Sequence, residues 1–165
     1  MNYSTGQVSI DLKAIKNNYL FLRKLCAPAE VAATVKASSY GLGGENKIVE
    51  TLEKVKCKKF FVANIVEALK IRKKFKSITI FVLNGLSKGE EKTFFSNNIT
   101  PVLNNYNQFE RWTSYIKRNF NRPLMLHVDT GMNRLGFQKI DIEKLKRNKK
   151  KLEQFKNVTV MSHLA

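Results

Sequence analysis

The stretch FFVANIVEALKIRKKFKSITIFVL, residues 60–83, decides the fold. Residues 60–63 are apolar without interruption, and residues 78–83 nearly so. Between them, residues 65–75 set Ala68, Leu69 and Ile71 among lysines and arginine, a helical pattern with one apolar face. Continuously apolar strands joined by an amphipathic helix form a βαβ unit. Its sheet is parallel and covered on both faces, which is why its strands do not alternate.

The same rhythm extends in both directions. Strands are expected at residues 31–35, 60–63, 78–83, 100–103, 124–128 and 158–161, and helices at 47–55, 65–75, 87–95, 106–117 and 141–155. The fold class is therefore α/β, with about six βα units. An open doubly wound sheet and a (β/α)8 barrel both fit, and the even spacing suits an incomplete barrel. Ahead of this, residues 8–12 alternate apolar and polar and read as a short strand. A helix follows on Leu12, Ile15, Tyr19, Leu22 and Leu25, capped by Asp11 and ended by Pro28. The expected organisation is an N-terminal strand and helix over 1–30, then a partial barrel over 31–165.

Composition narrows the class. The 165 residues are 43% hydrophobic, enough for a folded domain with a core. No apolar stretch approaches the ~20 residues of a membrane span. The first residues have neither the basic flank nor the apolar core of a signal peptide, so a cytoplasmic location is expected. Cys26 and Cys57 have neither metal-ligand spacing nor a disulfide framework and read as free thiols. The net charge of +17 raises nucleic-acid binding through counterion release. Yet the lysines are spread over nearly every helix, and the densest run, residues 144–151, has no interleaved aromatics. Solvated helix faces are the better reading, with neither a nucleic-acid nor a membrane partner expected.

Both architectures place chemistry in the loops after the strands. Lys36 ends an apolar run and is followed by Ala37-Ser38-Ser39-Tyr40-Gly41-Leu42-Gly43. An amine there suits imine formation with a carbonyl cofactor, and the glycines let backbone approach a ligand. The plainer alternative is a surface lysine. Residues 127–137, HVDTGMNRLGF, follow another apolar run. Arg134 suits bidentate binding of a carboxylate, or instead a loop-fixing salt bridge with Asp129. His163 follows the last strand, as a site residue or as a satisfied core histidine. Asn84-Gly85 reads as a turn. No metal cluster, Walker loop or dinucleotide fingerprint is present in the sequence pattern.

Taken in order, these segments resemble the alanine racemase family. Its strand ending A-x-V-K-A-x-x-Y-G is matched at 33–41, its D-T-G-M-x-R-L-G loop at 129–136 and its S/T-H-(F/L)-A segment at 162–165. The resemblance implies the N-terminal part of a barrel that binds pyridoxal 5′-phosphate and racemises alanine, supplying D-alanine for peptidoglycan. Lys36 is similar to the lysine that holds the cofactor as an internal aldimine and then acts as one of two acid/base groups. Tyr40 is similar to a phosphate-holding residue, Arg134 to the arginine that contacts the substrate carboxylate, and His163 to the histidine packed beside the cofactor ring.

The resemblance also implies features that this chain changes or lacks. Many members have a carbamylated lysine where His127 stands, so His127, or an anion near it, is expected to position Arg134 unless the arginine is held otherwise. About two further βα units and a β-rich C-terminal domain are expected to be absent, and with them a tyrosine base supplied across a homodimer interface. Little activity is then expected of the 165 residues alone. A non-catalytic pyridoxal-phosphate-binding barrel protein is the alternative within the fold.

Overall fold

The computed structural model describes residues 6–116 and 121–164. Its strands are β1 (Ala33–Thr34), β2 (Lys59–Val62), β3 (Thr79–Val82), β4 (Ile99–Leu103), β5 (Leu124–Val128) and β6 (Val158–Ser162). The helices are α1 (Leu12–Leu25), α2 (Lys36–Tyr40), α3 (Glu45–Lys54), α4 (Ile65–Lys74), α5 (Glu91–Ser96), α6 (Tyr106–Tyr115), α7 (Lys139–Arg147) and α8 (Lys149–Glu153). The strands form one sheet in the order β1-β2-β3-β4-β5-β6, and every pair is parallel. A doubly wound sheet reverses direction at a switch point. This order never reverses, so the sheet is part of a (β/α)8 barrel.

Alternate residues of each strand serve two layers. Phe60, Val62, Ile80, Leu103, Leu124 and Leu126 pack against helix residues that include Val49, Leu52, Ala68, Ile71, Phe94, Phe109 and Trp112. The opposite face gathers Phe61, Phe81, Leu83, Val102, Met125 and Met161 in a second, smaller cluster. The Phe61 and Phe81 rings stack with centroids 4.8 Å apart, as their direct register pairing dictates. Both faces bury apolar side chains, each fully buried one contributing about 1.5–3 kcal/mol.

Short caps turn strands directly into helices. Asn64 accepts the N–H of Glu67 at 3.0 Å and Asn105 that of Gln108 at 2.9 Å, so α4 and α6 begin almost at the strand ends. Asp11 caps α1 as expected, accepting from Lys13 and Ala14.

The structure corrects several expectations. Residues 8–12 form no strand: residues 8–11 are irregular and Leu12 opens α1. A strand needs a neighbour for its backbone groups, and no described strand pairs with this segment, where Val8 is 70% exposed. On α1 only Tyr19 is buried, while Leu22 and Leu25 face outward. The first sheet strand is two residues long rather than 31–35, because the chain coils sharply at Lys36. The helix expected over 141–155 is two pieces meeting at Asn148. Arg72 belongs to the core rather than to a solvated helix face. It is buried, and its guanidinium donates to the carbonyls of Phe75, Lys76 and Asn98, joining the end of α4 to the start of β4.

Candidate active site

Because all strands are parallel, their C-terminal ends share one mouth. A cavity of about 510 Å³ opens there. Lys36, Tyr40, His127, Arg134 and His163 line it, arriving from after β1, from β5 and its loop, and from after β6. Thr34, Phe61, Leu83 and Met161 supply the strand-borne wall. The apolar and aromatic floor with a few convergent polar groups is the ordinary make-up of a small-molecule site.

Lys36 opens an unusual turn. Ala37, Ser38, Ser39 and Tyr40 all have positive φ, between 50° and 60°. Four consecutive L-residues thus form a left-handed helical turn, whose cost is about 1–2 kcal/mol per residue. It is closed by Gly41 N–H to Ala37 C=O at 2.8 Å and Gly43 N–H to Ser38 C=O at 2.8 Å. Strain of this kind persists where surrounding contacts hold it. Here the holder is Glu67, whose carboxylate accepts the N–H of Ala37 at 3.0 Å and that of Ala63 at 2.8 Å. The turn carries Tyr40 back over Lys36, with Nζ 5.8 Å from the ring centroid.

The loop after β5 is built by Asp129. Its carboxylate accepts N–H groups of Gly131 and Asn133 at 3.0–3.1 Å and the Gln138 amide at 2.6 Å. These donors, Gly131 first, hold its carboxyl below the usual carboxylate range. Phe137 then returns alongside the strand, donating to His127 C=O at 2.7 Å. Gly136 permits that return: at φ +117°, a Cβ there would lie 2.6 Å from Asp129 N. A hydroxyl pair, Thr130 and Ser162 at 2.6 Å, ties the loop to β6. Asp129 and Arg134 make no ion pair, which removes the salt-bridge alternative. Asp129 shapes the loop, and Arg134 faces the cavity without a carboxylate partner among the described residues.

His127 is buried and its Nδ1 lies 2.8 Å from Oδ1 of Asn104, the residue after β4. Its proton affinity is held below normal, first by burial, then by His163 and Arg134, with Asp129 opposing. No hydrogen bond joins His127 to Arg134, though both line the cavity.

Sequence reasoning missed three residues. Asn104 and Glu67 act through contacts with residues far away in sequence. Asn84 lines the cavity as well as forming the turn, in which Gly85 N–H bonds Val82 C=O. For Asn84 and Asn104 the available signal is a polar side chain following an apolar strand.

A sequentially ordered parallel sheet, with an amine after its first strand and a guanidinium and imidazoles at later strand ends, defines a barrel with a lysine-centred site. Over residues 10–165 the chain matches the family described as alanine racemase, N-terminal domain, and it belongs to that family. It is 39% identical over 165 residues to a catabolic alanine racemase of Agrobacterium fabrum, covering 98% of this chain and 42% of that protein. It is 40% identical over 160 residues to an alanine racemase of Rickettsia prowazekii, covering 96% and 39%. Among solved structures, alanine racemase from Bartonella henselae with covalently bound pyridoxal phosphate superposes with a TM-score of 0.87 at 38% identity, over 94% of this chain and 44% of that one. The chain thus spans about two-fifths of the length of the curated relatives it matches.

Proposed function

We propose that this chain carries the cofactor-anchoring half of a pyridoxal 5′-phosphate-dependent alanine racemase. The observation that carries the reading is the convergence of Lys36, Arg134 and His163 on one cavity. The residues present fit the group. Lys36 supplies an amine, Phe61, Leu83 and Met161 supply apolar surface for a flat ring, and Arg134 is a guanidinium with no carboxylate partner among the described residues. When bound, the cofactor supplies an electron sink for charge developing at the substrate Cα.

Within this reading Lys36 anchors the cofactor covalently, and its Nζ removes or returns the proton at Cα from one side. Tyr40, carried by the left-handed turn, holds the phosphate. Arg134 orients the substrate carboxylate, and the absence of an ion pair to Asp129 leaves it available. His163 packs beside the ring. Alanine as substrate, D-alanine supply for peptidoglycan, a homodimer and a cytoplasmic setting belong to the same proposal. The last is supported by the free cysteines, Cys26 exposed and Cys57 buried.

Racemisation needs proton transfer on both sides of one carbon. The sheet is open, with β1 and β6 as unpaired edges among the described residues. The 165-residue polypeptide alone is therefore expected to take up the cofactor while turning over little alanine. Cofactor uptake without turnover is also what the non-catalytic reading requires.

The test is incubation with pyridoxal 5′-phosphate, borohydride reduction and peptide mass mapping. Label on Lys36, lost in Lys36→Ala, supports the reading; label spread over surface lysines overturns it. A coupled D-alanine assay checks turnover, and rates typical of a complete enzyme would refute the expectation of low activity.

A further inference from the structure

The amide of Asn104 has one orientation consistent with its neighbours. Its Nδ2 donates to Leu83 C=O at 2.8 Å and to Val102 C=O at 3.1 Å. Both partners are pure acceptors, so the NH₂ end must face them and Oδ1 must face His127. Oδ1 can only accept, so Nδ1 of His127 at 2.8 Å must carry a proton. Gln108 holds the same corner, its Oε1 accepting the Asn104 N–H at 2.9 Å. A neutral imidazole with Nδ1–H has its lone pair on Nε2, which has no hydrogen-bond partner among the described residues.

We infer that Asn104 locks His127 as the Nδ1–H tautomer, so that its bare Nε2 is a fixed acceptor in the cavity wall for the guanidinium of Arg134. His127 and Asn104 are then positioning residues, the first acting on Arg134 and the second through the first. Arg134 offers donors only, and a neutral acceptor can orient it without consuming its charge, which stays free for an anionic ligand.

The charge state follows from the surroundings. His163 and Arg134 are the basic groups facing His127, Asp129 is the acidic one, and burial adds to the two cations in disfavouring a second proton. The neutral form prevails at neutral pH, and acidification would replace the acceptor with a donor facing Arg134.

The chain has two histidines, so the imidazole nitrogens of the 15N-labelled 165-residue protein give two spin systems, assigned with His163→Gln. At neutral pH the His127 Nδ1 is expected at a protonated, pyrrole-like shift and Nε2 at an unprotonated, pyridine-like shift. Asn104→Leu should move His127 to the Nε2–H form. Arg134→Gln should move Nε2 further toward the free pyridine-like value and raise the pH at which His127 titrates.

A wild-type His127 that is Nε2-protonated or doubly protonated at neutral pH overturns the inference. So does an Nε2 shift unchanged by Arg134→Gln. If Asn104→Leu does not fold, the wild-type spectrum and Arg134→Gln still decide. The inference rests on the cofactor reading for the meaning of Arg134, and the two fail separately. Specific Lys36 labelling with the wrong tautomer removes only the inference, whereas the expected tautomer without Lys36 labelling removes only the reading.

Discussion

Oε1 of Glu67 accepts the N–H of Ala37 at 3.0 Å, the peptide directly after Lys36. The other carboxylate oxygen accepts the N–H of Ala63 at 2.8 Å, so one side chain from α4 joins the ends of β1 and β2 at the cavity mouth. The direction in which Lys36 leaves the sheet depends on this tie.

Glu67→Ala leaves both N–H groups without their acceptor. The expected loss is about 2–3 kcal/mol of stability, since hydrogen bonds to charged groups are among the stronger ones. Chemical denaturation measures it. Reduced labelling of Lys36 by pyridoxal 5′-phosphate is expected in the folded fraction, and unchanged labelling would show that the tie has no bearing on the lysine.

Ala37 holds φ 50°, where glycine is comfortable and alanine is not. Its side chain is exposed, so Ala37→Gly removes little packing. Relief of left-handed strain outweighs the added freedom of the unfolded chain, and a gain of about 0.5–1 kcal/mol is expected. A lower melting temperature would argue against strain at this turn.

Gly136→Ala places a Cβ 2.6 Å from Asp129 N and 3.0 Å from Val128 C at φ +117°. Both neighbours are backbone and cannot step aside as a flexible side chain would. Destabilisation of about 3 kcal/mol or more is expected from strain and overpacking together. A thermal melt unchanged from wild type would refute the close return of Phe137 beside β5.

Asp129 titrates below its usual range when folded, because Gly131, Gln138 and Asn133 donate to it. A depressed folded pKa gives stability that is present above the unfolded value, near 3.9, and is lost as pH falls through the folded value. Loss of structure in the 129–137 loop is therefore expected only in strong acid. In Asp129→Asn that acid dependence should flatten, as hydrogen exchange of Gly131 and Asn133 would report.

The order of elements was legible because helix and strand periods are local. Residues 60–63 and 78–83 are apolar throughout since helices cover one face of their sheet and a second cluster fills the other. The strand-end residues were legible too: Lys36, Tyr40, His127, Arg134 and His163 stand at the ends of apolar runs and meet in one cavity. Residues 8–12 misled because alternation describes a strand's faces and says nothing of whether a partner lies beside it.

What the sequence by itself determined is the βα rhythm and the set of side chains delivered to the mouth. Both follow from patterns a few residues long. The tertiary structure alone decided that Asn104 meets His127 and that Glu67 meets Ala37, 23 and 30 residues away. It also decided that four L-residues after Lys36 coil left-handed. Those outcomes depend on the register in which parallel strands pair and on contacts strong enough to hold strained backbone. Neither quantity is carried by any short stretch of chain.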